Sequence, residues 1–281
     1  MRPRSGSSAK ALLLTILGEF VRPHSGSVWT STVVDALERL GVAERNARQA
    51  LSRLGEQGLL RAVKEGRRAR WHLTDEGRRL LTEGAERIYA FGAGDDDWDG
   101  RWLVVVFSVP EEQRAKRHQM RAKLEFSGFG FVQPGVAICP HLERQPIATA
   151  LLKDLDLLAG AMLLRAETVD LVGTDDVLER AWNLETLARR YQEFITSFTR
   201  RAPRSDEARF TALTELVHHW RRFPFIDPEI PARLLPDQWP GWRAKALFDA
   251  RHAMWATGAN AWYEQTEARA GDGSTRTSAR C

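Results

Sequence analysis

ERNARQALSRLGEQGLLRAVKEGRRARWHL, residues 44–73, is the stretch that decides the fold of the amino-terminal part of the chain. Apolar residues at helical spacing predict a helix from about Glu44 to Gln57, which Gly58 ends. The alternating pattern that follows predicts two strands, Leu59 to Val63 and Arg68 to Leu73. A turn at residues 65–66 would join them into a hairpin.

The predicted helix 44–57 has two chemically different faces. At about 100° per residue, four small or apolar side chains share one side and four polar side chains the other. The first set is Ala47, Ala50, Leu51 and Leu54, and the second is Arg45, Arg48, Gln49 and Ser52. Arginine pairs with guanine edges and glutamine with adenine edges. The pattern predicts a DNA recognition helix, although a solvated helix surface without a partner would show the same pattern.

The predicted hairpin is basic. Alternation places Arg68, Arg70 and His72 on one face of its second strand and the apolar residues on the other. The tip, residues 64–68, includes Lys64, Arg67 and Arg68. We expect this tip to lie against phosphates or the minor groove. Phosphate contacts are also expected from Thr30, Ser31 and Arg53, and the basic arm 2–10 is either a further contact or a disordered tail.

The flanking residues complete a winged helix-turn-helix domain, predicted for residues 9–91. A helix over 10–21 and a short extended piece at 27–29 come first. Thr30 or Ser31 is predicted to cap a second helix, which Gly41 ends. Thr74 is the predicted N-cap of a fourth helix, because acidic residues follow it directly.

Two further domains are predicted after the glycine-rich and acidic linker at 92–97. Residues 98–173 show the order βαββαβ, which is ferredoxin-like. Residues 174–265 are predicted to be a mainly helical domain whose last helix runs from Arg243 to about Glu264. Residues 266–281 are predicted to be a disordered tail. The fold class is therefore α+β with several domains.

The charge of the chain is unevenly placed. Residues 1–91 carry 16 Lys/Arg against 10 Asp/Glu, whereas the other 190 residues carry 25 against 27. This asymmetry favours a nucleic-acid-binding segment joined to a nearly neutral body. The chain has no apolar run of about 18 residues and no signal-peptide pattern. Two cysteines, Cys139 and Cys281, cannot build a disulfide framework. We therefore expect a cytoplasmic protein that does not bind membranes.

Motifs for catalysis and metal binding are weak. Cys139 and His141 are separated by one residue, which is not a structural zinc spacing. His218 and His219 are adjacent, so we expect one to be buried and hydrogen-bonded and the other exposed. No phosphate-binding lysine loop, nucleophile elbow or zinc-protease motif occurs. We predict no metal, no cofactor and no enzymatic activity.

Four motifs in order resemble the PaaX-like repressors of phenylacetic acid catabolism. They are Trp98-Asp99-Gly100 with Trp102; Gly128-Phe129-Gly130 with Pro134-Gly135-Val136; the stretch 217–228, VHHWRRFPFIDP; and Leu234-Leu235-Pro236 with Trp239-Pro240-Gly241. The resemblance covers about residues 9–265. Each motif alone is weak, and their order behind a predicted winged helix makes the resemblance specific.

The resemblance implies a homodimeric regulator that binds double-stranded operator DNA and is released by phenylacetyl-coenzyme A, an acyl-CoA effector. It also implies a middle domain similar to a small CRISPR-associated ferredoxin-like nuclease, in which an aspartate near the end of the first strand binds metal. Here that strand ends Phe107-Ser108-Val109-Pro110, and Asp99 lies before it. We therefore expect a dimerisation scaffold without nuclease activity.

An acyl-CoA effector would need arginines beside an aromatic cleft, preferably between domains. The candidates are Arg101, Trp102, His218, Trp220, Arg221, Arg222 and Trp239. The alternative is that these residues pack the third domain and pair with acids such as Asp227.

The predicted function is a transcriptional regulator, expected to repress an aromatic-acid catabolic operon. The alternatives are a metal-dependent nuclease built on the middle domain and an adaptor that uses its winged helix to bind protein.

Overall fold

The structure, a computed structural model, describes residues 8–92, 98–168 and 174–272. Its packing separates the chain into two compact units. The first unit takes residues 1–90, 196–221 and 246–281, and the second takes 91–195 and 222–245. The predicted helical segment 174–265 is thus divided between the units rather than packed as one body.

The first unit begins with a helix that changes its pitch. Helix α1, Ala9–Ile16, starts at Ser8, whose hydroxyl accepts a hydrogen bond from the Ala11 amide, and it continues as a π-helix over Leu17–Val21. The elements that follow are β1 Ser27–Trp29, α2 Thr30–Arg39, α3 Glu44–Glu56, β2 Leu60–Glu65, β3 Arg68–Leu73 and α4 Asp75–Ala90. The sequence predicted each of them to within two residues.

The three strands form one antiparallel sheet in the order β1-β3-β2. Trp29 lies opposite Arg70, and Leu60 lies opposite Leu73. The pairing of β1 with β3 brings the start of α2 beside the hairpin, because α2 follows β1 without a break. One end of the hairpin is therefore held by the helices, and its tip at 65–68 is left exposed.

Thr74 caps α4 as predicted, since its hydroxyl accepts the Gly77 amide at 3.0 Å. The predicted cap of α2 is wrong. Helix α2 begins after Trp29 without a side-chain cap. The hydroxyl of Thr30 instead donates to the Ala69 carbonyl at 2.9 Å and accepts from Trp71 Nε1 at 3.1 Å. The pairing of β1 with β3 places the hydroxyl beside these partners, and it bonds to them rather than to its own helix.

Two helices far along the chain complete the core of the first unit. They are α9, Asp206–Trp220, and the part of α10, Pro240–Gly271, from residue 246 onward. Phe210 of α9 packs on Trp262 with ring centroids 4.2 Å apart, and it also contacts Phe20 at 4.8 Å. Burial of such large apolar side chains is a main source of folding free energy.

The second unit is built on a four-stranded antiparallel sheet in the order β5-β6-β4-β7. Its elements are β4 Arg101–Phe107, α5 Arg114–Phe126, β5 Gly130–Gln133, β6 Val136–Cys139, α6 Gln145–Asp154, β7 Ala161–Glu167, α7 Thr174–Ala181 and α8 Leu184–Thr199, the last of which crosses into the first unit. One face of the sheet packs on Met120, Leu124 and Leu152 of α5 and α6. Trp102 and Ile138, on the other face, pack with Leu178 of α7.

The predicted end of the last helix and the predicted tail need correction. Helix α10 runs from Pro240 to Gly271, not from Arg243 to Glu264, so residues 266–271 are helical. Thr266 is 4% exposed, which shows that the added turn is packed. Residues 273–281 of the predicted tail, and residues 2–7 of the basic arm, lie outside the described residues.

Gly77→Ala is expected to destabilise the protein, although alanine usually favours a helix. A Cβ at residue 77 would lie 2.1 Å from the Leu59 carbonyl oxygen, so α4 would have to move away from the start of the hairpin. We expect a loss of about 1–2 kcal/mol in the free energy of unfolding. Chemical denaturation measures it, and Gly84→Ala, which has open space at its Cβ, is the matched control. A loss no larger than that of the control would contradict the close approach.

Candidate nucleic-acid interface

Helix α3 presents the polar face that its sequence predicts. Ala47, Ala50, Leu51 and Leu54 are buried, whereas Arg45, Arg48, Gln49, Ser52 and Arg53 are exposed. The exposed side chains line one open surface together with Glu44 and Glu56. The burial pattern confirms the predicted faces, and the outer one offers guanidinium and amide donors to a partner.

Arg48 has an ion pair within its own helix. Its Nε atom donates to Glu44 Oε1 at 2.8 Å, and its Nη2 atom lies 2.7 Å from the same oxygen. Both side chains are more than half exposed. An exposed pair of this kind contributes little to stability. The pair therefore orients Arg48 and, being weak, leaves its guanidinium able to exchange Glu44 for another partner.

The hairpin has a two-residue turn formed by Gly66 and Arg67, since Glu65 is paired with Arg68. Gly66 has φ +64°, a conformation that favours glycine in such turns. Lys64 and Arg67 are exposed at the tip. The tip therefore presents two cations.

Two arginines of the second hairpin strand, Arg68 and Arg70, contact the end of α10. Arg68 Nη1 donates to the carbonyls of Ala270 and Gly271. Arg70 Nη2 lies 3.7 Å from Glu267. Both guanidinium groups also lie over the Trp29 ring, at 4.6 and 5.3 Å. The sequence predicted an outward basic face here, whereas the structure brings this face against the chain's own last helical turn.

Among the remaining predicted residues, Ser31 is exposed beside the hairpin, and His72 is half-buried. Trp29 is 5% exposed, so it belongs to the core rather than to a base-stacking surface. The Thr30 hydroxyl donates its one hydrogen to the Ala69 carbonyl, so it has none to donate to a phosphate.

A concave surface, which we call the hairpin groove, joins these elements. Its volume is about 630 Å³. It is lined by Trp29, Thr30, Ser31, Thr32, Asp35, Arg48, Lys64, Gly66, Arg67, Arg68, Ala69, Thr266, Arg269 and Ala270. Arg48 belongs to both this groove and the outer face of α3, so the two form one continuous basic surface.

Sequence reasoning missed Glu267 and Arg269 at this surface, because residues 266–281 were predicted to be a tail. A signal was present. Ala259, Trp262, Tyr263 and Thr266 recur at helical spacing and are buried, so the helical spacing of buried positions continues past the predicted helix end.

The seven candidate effector residues fall in two units. His218, Trp220 and Arg221 belong to the first unit, and the other four, Arg101, Trp102, Arg222 and Trp239, belong to the second.

In the first unit, Trp220 is fully buried, and its Nε1 donates to the Ile88 carbonyl at 3.2 Å. His218 is buried, with Nδ1 3.2 Å from the Thr15 hydroxyl. His219 is exposed, as predicted for the second histidine of the pair. The burial of Trp220 and His218 favours the alternative in which these residues pack the protein.

In the second unit, Trp102 and Trp239 are buried, at 3% and 5% exposure. Trp102 Nε1 donates to the Thr168 hydroxyl at 2.9 Å. Arg101 and Arg222 are exposed, and Arg101 Nε lies 3.2 Å from Glu167. Only the two arginines of this group are accessible to a ligand.

The motif around Asp227 is held by contacts within the second unit. Tyr191 donates its hydroxyl hydrogen to Asp227 Oδ2 at 2.5 Å, and burial raises the pKa of this carboxyl above its ordinary value. The Tyr191 ring stacks on Phe223 at 4.2 Å. Asp227 therefore accepts a hydrogen bond from a tyrosine, where the sequence suggested pairing with arginine.

The cysteine and histidines that were considered for zinc do not gather. Within the described part of the chain, no group of three or more potential metal-ligating side chains occurs. Burial raises the pKa of the Cys139 thiol to about 11. His141 Nε2 contacts the Glu229 carbonyl oxygen at 2.7 Å instead. None of the described helices is long and apolar enough to span a bilayer.

Three family models match the chain in order. A PaaX-like protein model matches residues 8–77, the PaaX protein central Cas2-like domain matches 95–178, and the PaaX-like protein C-terminal domain matches 182–265. The chain belongs to the PaaX-like family.

Two relatives of this PaaX-like protein extend the comparison. This chain is 28% identical over 256 residues to the transcriptional repressor PaaX of Escherichia coli strain K12. The similarity covers 87% of this chain and 78% of that protein. This chain is also similar to the solved structure of the uncharacterized protein Rv0674 from Mycobacterium tuberculosis, with a TM-score of 0.62 and 20% identity. That similarity covers 92% of this chain and 98% of the other, and it shows a shared fold.

Proposed function

We propose that this PaaX-like protein is a DNA-binding transcriptional regulator that acts as a repressor. The observation that carries the proposal is the continuous basic surface formed by the outer face of α3 and the hairpin tip. That surface lies within the segment that matches the PaaX-like protein model. The similarity to a protein named a transcriptional repressor supports the same function.

Residues 9–91 form the proposed winged helix-turn-helix domain. Support comes from the element order β1-α2-α3-β2-β3 and from the three-stranded sheet that holds the hairpin beside α2. In such domains the second helix of the pair enters the major groove. Helix α3 is the second helix of the proposed pair. The proposed base-contacting residues are therefore Arg45, Arg48, Gln49 and Ser52. Arg53 and the hairpin cations are the proposed phosphate contacts.

The sheet of the second unit is proposed to be a ferredoxin-like dimerisation scaffold. The strand order β5-β6-β4-β7, with α5 and α6 on one face, supports the ferredoxin-like arrangement. A two-fold dimer would present two α3 helices to successive major grooves about 34 Å apart. Strand β4 ends at Phe107 and is followed by Ser108, so the position of a metal-binding acid is not filled. The proposed function is accordingly not enzymatic.

An aryl-acyl-CoA such as phenylacetyl-CoA is the proposed effector. Arg101 and Arg222 are exposed and have the charge that CoA phosphates require. The candidate tryptophans Trp102, Trp220 and Trp239 are buried and pack in the cores of the two units. A thermal-shift screen of acyl thioesters tests the proposal, because a ligand that binds only the native state raises the melting temperature. A thioester that stabilises the protein without releasing DNA would contradict the role of effector.

Arg67→Ala tests the DNA-binding proposal through the dependence of affinity on salt. Arg67 is exposed at the hairpin tip. If it contacts one phosphate, its loss should make the negative slope of log K against log salt shallower by about 0.9. Fluorescence anisotropy with a mixed-sequence duplex, read from low to moderate salt, measures the slope. A wild-type protein with no salt-dependent affinity for DNA would instead favour the protein-binding adaptor, and cleavage of the duplex with magnesium would favour the nuclease.

A further inference from the structure

The hairpin groove collects cations that are distant in sequence. Arg48 comes from α3; Lys64, Arg67 and Arg68 come from the hairpin; and Arg269 comes from the last turn of α10. Of the described residues that line the groove, Asp35 is the only acid. A concave surface with this charge raises the local concentration of anions.

The glutamate of the last turn is turned away from this positive charge. Glu267 Oε2 accepts the Trp29 amide at 3.2 Å, and Glu267 Oε1 faces Arg70. The carbonyls at the end of α10, which carry partial negative charge, are bonded by Arg68. The Glu267 carboxylate and these two carbonyls therefore have contacts to other groups of the protein.

Two hydrogen bonds hold Arg269 at the groove and leave other N–H donors of its guanidinium group available. Its Nε donates to the Gln265 carbonyl at 3.1 Å, and its Nη2 lies 3.3 Å from the Thr266 hydroxyl. Both contacts are within its own helix, and the side chain is exposed. Its guanidinium has five N–H donors, so donors remain for a ligand.

The floor of the groove is the start of α2. Thr30, Ser31 and Thr32 line it, and α2 has no side-chain cap. The first amides of an α-helix lack acceptors within the helix and favour anions. The Thr32 hydroxyl is also buried without a hydrogen-bond partner among the described residues. These groups at the start of α2 add hydrogen-bond donors to the groove that Arg269 also lines.

We propose that the hairpin groove binds a phosphate of the DNA backbone and that Arg269 is one of its ligands. The inference rests on the proposed DNA-binding function and extends the interface beyond residues 9–91, to the last turn of α10. The hairpin and α10 then bind the duplex as one surface, because Arg68 and Glu267 connect them.

The test compares the salt dependence of DNA binding for wild type, Arg269→Ala, Arg269→Lys and Arg243→Ala. Arg243 is an exposed arginine of the same helix that does not line the groove. With a mixed-sequence duplex, Arg269→Ala should bind about threefold to tenfold more weakly at low salt, and its negative salt slope should be shallower than that of wild type by about 0.9. Arg269→Lys should keep the wild-type slope, because it keeps the charge. Arg243→Ala should behave as wild type.

Suppose that Arg269→Ala leaves the salt slope of DNA binding unchanged while Arg67→Ala makes it shallower. That result would overturn this inference and leave the proposed function intact. An absence of salt-dependent binding in wild type would overturn the proposed function itself. The melting temperature should be unchanged in Arg269→Ala, since the side chain bonds only within its helix. If the melting temperature falls, Arg269→Gln is used instead of Arg269→Ala. Its salt slope is then compared with that of wild type in the same way.

Discussion

Trp220→Ala is expected to lower the free energy of unfolding by about 3–5 kcal/mol. The side chain is fully buried, and its ring stacks on Phe248 with centroids 4.8 Å apart. Its indole nitrogen also donates to the Ile88 carbonyl at 3.2 Å, so the substitution leaves that carbonyl without this donor. Equilibrium unfolding in urea measures the effect.

Trp242→Ala is the matched control, because this tryptophan is 44% exposed. It should change stability far less, since nearly half of its surface already contacts solvent. If Trp220→Ala kept its stability and lost only the binding of an acyl thioester, the effector role suggested by the sequence would replace the structural one.

Arg48→Ala is expected to weaken binding to the cognate operator by about 1–3 kcal/mol and to relax the preference at one base pair. Arg48 lies on the exposed face of α3 and is bonded only to Glu44 of the same helix among the contacts described above. Operator sites selected from random sequence, and their single-base variants, provide the probes. The affinity of each variant gives the specificity directly.

Two further substitutions control for charge. Arg79→Ala removes an exposed arginine of α4 that is paired within its helix by Glu76 and Glu83, and it should leave DNA affinity unchanged. Glu44→Gln removes the carboxylate that holds Arg48 and should strengthen binding. An equal loss by Arg48→Ala on every sequence would show that this arginine contacts only the backbone.

The faces of α3 were predictable because helical periodicity is a local property. The burial of Ala47, Ala50, Leu51 and Leu54 on one face of the helix follows from their spacing alone. The hairpin was predictable for the same reason, since glycine at its turn and alternating side chains are encoded within a few residues. The family motifs also identified the chain correctly, although several of their tryptophans prove to be buried.

The environment of the hairpin arginines was not predictable in this way. Arg68 bonds to carbonyls about two hundred residues away in sequence, and Arg70 faces Glu267 at a similar separation. No local pattern specifies which distant helix ends beside a strand. The predicted basic face was therefore correct in composition and incomplete in its contacts.

The candidate effector residues show a related difference. The sequence placed seven of them in motifs that suggest one site, but the packing divides them between two units. Trp220 and His218 fill the first core, because a large ring or imidazole in a helical apolar stripe is buried wherever that stripe packs. A residue of such a motif can therefore be one that packs the core rather than one that binds a ligand.

The amino-acid sequence by itself determined the order of helices and strands, the two faces of α3 and membership of the PaaX-like family, because each depends on residues close together in the chain or on their order. Only the tertiary structure decided that α10 continues to Gly271 and that Arg269 joins the basic surface beside the hairpin. Those features depend on long-range packing, in which Thr266 is buried and Glu267 and Arg68 find partners that are distant in sequence.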